Sequence, residues 1–83
     1  MTTVSVPVFH HRPGVVVRVD AASWERWQAE GRSTHWFWSP TGPTYTRPDG
    51  KEEPVADGIL GVPAFITNGD PFNLTLRNLR PKA

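Results

Sequence analysis

Nine prolines punctuate the 83 residues, at positions 7, 13, 40, 43, 48, 54, 63, 71 and 81. Each lacks a backbone N–H and holds φ near its own ring value, so a helix stops at or before it and a strand tolerates it only at an edge. A chain so punctuated folds through clipped elements joined by well-defined turns. Four Trp and four Phe argue against disorder, because that much aromatic surface can be buried together. The length allows one domain, and a domain of this size buries only about 60–65% of the surface its unfolded chain exposes. With no cysteine, disulfides and thiolate metal sites are excluded, and stability must come from a core rich in Trp and Phe or from a partner.

In chain order, residues 1–7 are rich in Thr, Val and Ser and read as an edge strand or a flexible arm, with residues 1–14 as its outer limit; Pro7 restricts the strand to an edge. His10 to Gly14 reads as a turn, and Val15 to Val19 as a β-branched strand folding back on the first. Asp20 is placed to cap a helix from Ala21 to Glu30 that Gly31 ends. Ala21, Trp24 and Trp27 recur at a spacing of three and share its apolar face, while Arg26 and Glu30 face water. Thr34 to Ser39 and Thr44 to Arg47 form a hairpin across Pro40-Thr41-Gly42-Pro43. After the turn Pro48-Asp49-Gly50, Lys51 to Val55 adds a short edge strand.

Alternation on the Thr34–Ser39 strand sends His35 and Phe37 to one face and Trp36 and Trp38 to the other. A two-layer protein buries only one set completely. Most of these aromatics read as core. Those left outside serve as a stacking platform for bases or as an anchor for another protein, and Trp36, Trp38 and Tyr45 are the candidate partner-binding residues. His10 and His11 are adjacent and diverge on a strand or splay on a turn, so they share no metal without further ligands. Glu52 and Glu53 diverge in the same way and make no catalytic carboxylate pair.

The net charge of +1 gives little support for duplex binding, which usually shows as a strongly basic face, and it argues equally against an acidic mimic of DNA. No apolar run approaches the ~20 residues of a membrane span, and no charged-then-apolar leader opens the chain, so a soluble cytoplasmic protein without membrane contact is expected. The cations are uneven. Arg12 and Arg18 lie early and Arg77, Arg80 and Lys82 late, with Asp49, Glu52 and Glu53 between them.

Phe65 to Thr67 is extended in composition, and Asn68-Gly69-Asp70-Pro71 is dense in turn residues. Asn73 is placed to cap a helix from Leu74 to about Arg80 that Pro81 stops. On that helix Arg77 and Arg80, three apart, share a face: they either serve solubility alone or with Lys82 form the best phosphate-facing group, which Arg47 and Arg18 extend. Leu74, Leu76 and Leu79 read as core contacts.

The run Asn68-Gly69-Asp70-Pro71 followed by Arg77-Asn78-Leu79-Arg80 resembles the C-terminal half of HNH (His-Me finger) endonucleases of the phage and homing type. The specific likeness covers Phe65 to Arg80, with a looser extension back to about Val17. It implies a ββα unit over residues 56–80, with Ala56 to Gly61 as a helical turn packed on it, and a last helix that lies against the DNA backbone. The positions of the family's metal-binding carboxylate and general base fall here on Phe65 and Ile66, which neither hold a hard cation nor accept a proton. The Asn that braces the family's catalytic loop falls on Leu74. Asn78 alone keeps an oxygen at a metal-ligand position, and one neutral amide makes no metal site.

The expectation is therefore a small α+β domain spanning 1–83, made of N-terminal strands, one helix, a β-hairpin and a ββα unit, that does not cleave nucleic acid and carries no cofactor. Its expected work is to bind nucleic acid, DNA ahead of RNA, through Arg77, Arg80, Arg47, Arg18 and Lys82. The alternative is a phage-type inhibitor that docks on a host protein through the Trp36 and Trp38 face.

Overall fold

The computed structural model describes residues 2–82. They form an α+β fold of seven strands, two short helices and one 3-10 turn. Strands β1 (Thr3–Phe9), β2 (Val16–Asp20), β3 (Trp36–Ser39), β4 (Gly42–Thr46) and β5 (Glu52–Pro54) make one sheet in the order β2-β1-β3-β4-β5, all antiparallel except the β1–β3 contact. Helix α1 (Ala21–Ala29) packs on it, and α2 (Val55–Leu60) leads into a second, two-stranded sheet of β6 (Ala64–Ile66) and β7 (Leu79–Pro81). No helix among the described residues is long and apolar enough to cross a membrane.

The prolines sit where the ladders ask nothing of their nitrogens. Val8 N–H donates to Val15 O, so on β1 the even-numbered residues bond β2 and Pro7 turns its nitrogen the other way. On that side β3 begins only alongside Val8. The first residues are thus neither arm nor edge of the whole sheet: β1 is the second strand, flanked on one side along Thr3–Pro7 and on both sides beyond the proline. The expected hairpin, the Pro48–Gly50 turn and the edge strand β5 are all present.

Alternation along β1 and β2 puts Val6, Val8, Val17 and Val19 into the core, where they meet Trp27, Trp36, Tyr45, Ile59, Leu74 and Leu79. Trp24, Trp27, Trp36 and Tyr45 stack edge to face, with centroids 4.6–5.5 Å apart. That is a favoured arrangement for ring quadrupoles. The indole N–H groups of Trp27 and Trp36 both donate to Ser33 O, at 2.9 and 3.2 Å, so burial leaves neither unpaired. Gly58 makes room for this cluster. A Cβ there would lie 2.7 Å from the Trp27 ring and 3.0 Å from that of Tyr45.

Helix α1 ends at Gly31, as its position predicts, with φ +72 and its N–H on Gln28 O. Its N-terminus departs from expectation. Asp20 occupies the N-cap position without capping. Its carboxylate, only 5% exposed, instead accepts from Leu76 N–H at 2.8 Å, and Ala21 N–H is taken up by Thr2 O. A residue chosen for a local bond serves a contact across the chain.

The expected helix over Leu74–Arg80 does not form, and with it the ββα arrangement. Asn73 makes a local turn, its Oδ1 accepting from Thr75 N–H and Thr75 Oγ1. Phe72 to Leu74 runs extended beside β2, with Arg18 N–H on Phe72 O and Leu74 N–H on Arg18 O. Only Leu76–Asn78 is helical, as a single 3-10 turn, and Leu79–Pro81 is a strand. A seven-residue segment closed by Pro81 has too few internal bonds to offset helix nucleation. Pairing with β2 and β6 satisfies the same backbone groups while burying Leu74 and Leu79. Leu76, read as a core contact, is exposed.

Candidate nucleic-acid interface

Burial removes two of the three aromatic partner-binding candidates. Trp36 and Tyr45 are each 1% exposed, enclosed by the ring cluster, so neither presents a surface to another protein. Trp38 is half-buried and stacks on Phe72 at 5.1 Å. The ring left most open is Phe9, 72% exposed, near His35 at 6.0 Å. His10 and His11 do not splay: their rings lie 4.1 Å apart, and His10 also meets Trp38 edge-on. Local burial, then the neighbouring His11 and Arg12, lower the pKa of His10, whose Nδ1 accepts from Arg12 N–H. Among the described residues no three His, Asp or Glu side chains converge as a metal site would require.

A cleft of about 580 Å³ is bordered by Glu30, Arg32, Tyr45, Arg47, Glu53 and Asp57 among others. Its cations are already matched. Arg32 Nε bonds Glu30 at 2.9 Å while its Nη1 donates to Tyr45 Oη at 2.7 Å; that hydroxyl donates to Glu53 Oε1 at 2.6 Å. Glu53 Oε2 lies 3.7 Å from Arg47, whose other nitrogen is 3.1 Å from Asp49. Arg32 also lies over the Trp27 ring at 5.3 Å, a cation–π position. Its pKa is raised, chiefly by the bond to Glu30. Burial first, then the Glu53 bond and charge, raise that of Tyr45. Arg47, a sequence candidate for phosphate contact, is thus held by two carboxylates.

The remaining late cations come together in a different setting from the one expected. Strands β6 and β7 pair antiparallel with Phe65 opposite Arg80 and Ile66 opposite Leu79. The register runs on in both directions, since Thr67 N–H donates to Asn78 O at 2.8 Å and Lys82 N–H to Pro63 O at 2.9 Å. Opposed residues share a face. One face of the ribbon, with Ala64, Ile66 and Leu79, lies on the core. The other carries Pro63, Phe65 and Thr67 across from Lys82, Arg80 and Asn78. Phe65 is 48% exposed, and Arg80 and Lys82 are open to solvent. Arg77, on the 3-10 turn feeding β7, is also exposed.

Arg77 and Arg80 therefore do not share a helix face; Arg80 and Lys82 share a strand face instead. Among the described residues none of these three cations has a carboxylate within ion-pair distance, and no Asp or Glu occurs from Pro71 through Lys82. The Arg80 guanidinium donates to Leu79 O at 2.9 Å, which keeps it beside the ribbon. Arg18 is exposed on β2, opposite Ser5 and beside Asn73, in the other sheet. Phe65 is absent from the sequence candidates because Leu74–Arg80 reads there as helix. The alternation of Asn78, Arg80 and Lys82 with Leu79 and Pro81 is a period of two and carries the signal for a strand.

Comparison with models of protein families, with curated proteins and with solved structures finds no match for this chain.

Proposed function

We propose that this protein binds nucleic acid without cleaving it, as a phage-type regulatory module of the cytoplasm, through the outer face of the β6–β7 ribbon and the adjoining turn. The observation that carries this reading is that, among the described residues, Arg80 and Lys82 on the face of an exposed Phe65 and Arg77 on the turn feeding β7 have no carboxylate partner. Cations that the fold does not neutralise are suited to phosphates, and antiparallel ribbons are an established way of presenting them. The resemblance to HNH endonucleases supports the reading through its text alone, at Asn68–Pro71 and Asn78–Arg80, since the ββα unit it implies does not form. Phe65 and Ile66, where that family keeps its carboxylate and its base, support binding without hydrolysis.

Arg47 and Arg18 are assigned no phosphate contact, the first because Asp49 and Glu53 hold it and the second because it stands on another strand. The inhibitor alternative keeps only the half-buried Trp38 of its expected anchor, since Trp36 is enclosed. The test is a salt titration of affinity for nucleic acid. Three phosphate contacts give a slope of log K on log[salt] of about −2 to −3, and Arg80→Ala reduces its magnitude by about one. A protein that captures no nucleic acid at low salt contradicts the proposal, as does one whose affinity ignores Arg80→Ala.

A further inference from the structure

We infer that the ribbon takes a single strand of nucleic acid in preference to a duplex, one base stacking on Phe65 while successive phosphates meet Arg80 and Lys82. This rests on the nucleic-acid reading above and adds the form of the ligand.

Three features point to a single strand. Phe65 is nearly half exposed at the middle of the cationic face, and none of the close aromatic pairs of the core includes it. A ring in that position gains contact by lying flat on a base. Bases inside a duplex are covered on both sides by their neighbours, so only an unpaired strand offers such a face. In a groove the same ring would meet base edges and phosphates, to which it offers no hydrogen bond.

The second feature is register. Phe65 and Arg80 stand directly opposite one another, and opposed side chains on one face start about 5 Å apart. A nucleotide whose base lies on the ring thus brings its own phosphate within reach of the guanidinium. Lys82, two residues along the same strand, is displaced by about 7 Å, close to the repeat of phosphates along an extended single strand. The single ring on β6 thus stands beside the two cations on β7 as a base stands beside its backbone.

The third is extent. Counting the flanking bonds of Thr67 to Asn78 and of Lys82 to Pro63, the paired part of each strand is residues 63–67 and 78–82, or roughly 15 Å. Such a face spans two or three nucleotides of one strand and offers few cations. Duplex binders usually spread a larger basic surface over both backbones.

The test compares fluorescence anisotropy of the full chain with a short single-stranded DNA, the matching RNA and the matching DNA duplex at one salt concentration, for wild type, Phe65→Ala and Phe65→Trp. Far-UV circular dichroism and urea midpoints confirm that the variants fold. The expected result is that a single strand binds at least about tenfold more tightly than duplex. Phe65→Ala should weaken single-strand binding by about tenfold or more and leave duplex binding unchanged, and Phe65→Trp should retain it. Duplex bound as tightly as single strands, or single-strand affinity indifferent to Phe65→Ala, overturns this inference while leaving the nucleic-acid reading standing. Failure to bind all three removes both.

Discussion

The cleft and the ribbon use the same kinds of side chain to opposite ends. In the cleft Glu30, Arg32, Tyr45, Glu53, Arg47 and Asp49 form an unbroken run of hydrogen bonds and ion pairs. On the ribbon Arg77, Arg80 and Lys82 have no carboxylate in reach among the described residues. The aromatics differ likewise: Tyr45 is enclosed and doubly bonded, whereas Phe65 lies open. A cavity is therefore a poorer guide to function here than the state of its charges. The fold itself completes the cations of the cleft, whereas on the proposed reading those of the ribbon are left for a ligand outside the chain.

If that division holds, substitutions should separate cleanly into those that change stability and those that change binding. The largest stability effect is expected for Trp36→Ala, at about 3–5 kcal/mol, read from urea denaturation, whereas Phe65→Ala should stay within about 0.5 kcal/mol. Equal effects would mean that Phe65 belongs to the core. Asp20→Ala comes next, at about 1–3 kcal/mol, because it leaves Leu76 N–H unpaired where the chain enters the ribbon. Faster hydrogen exchange at Leu76 should accompany it.

Tyr45→Phe removes two hydrogen bonds of the cleft and should cost about 1–2 kcal/mol at neutral pH. It should also change the alkaline limb of stability. The folded-state pKa of Tyr45 is raised above the ordinary value of 10.0, so its contribution is fully present below pH 10.0 and is lost as pH climbs through the raised value. Tyr45→Phe should lack that loss, and an unaltered alkaline limb in the variant would contradict the cause assigned. The smallest effect is expected for Arg47→Ala. Its pairs are partly exposed, so less than about 1 kcal/mol of stability is lost, and nucleic-acid affinity should be unchanged.

Much of this division was legible in the residues. The proline spacing, the β-branched run before Asp20, the Trp24 and Trp27 face and the Pro48-Asp49-Gly50 turn all point to the elements that form. The late cations were legible too, but not their geometry. For Leu74–Arg80, spacing favoured a helix while pairing with β2 and β6 favoured extended chain, and those partners are remote in sequence. Asp20 misleads in the same way, since nothing near it announces a bond to Leu76. Trp36, Trp38 and Phe37 are alike in composition, and only packing against α1 decides which of them is enclosed.

The most direct measurement is a charge-matched comparison of affinity for a single-stranded oligonucleotide at fixed low salt. One variant carries Arg77→Ala, Arg80→Ala and Lys82→Ala, and the other Arg12→Ala, Arg47→Ala and Lys51→Ala. Each removes three positive charges from a chain of net +1, so their overall fields fall equally. Our account predicts that the first loses about a hundredfold or more in affinity while the second stays within a few-fold of wild type. Equal losses in the two would mean that only net charge matters, and would contradict the assignment of the ribbon as the binding face.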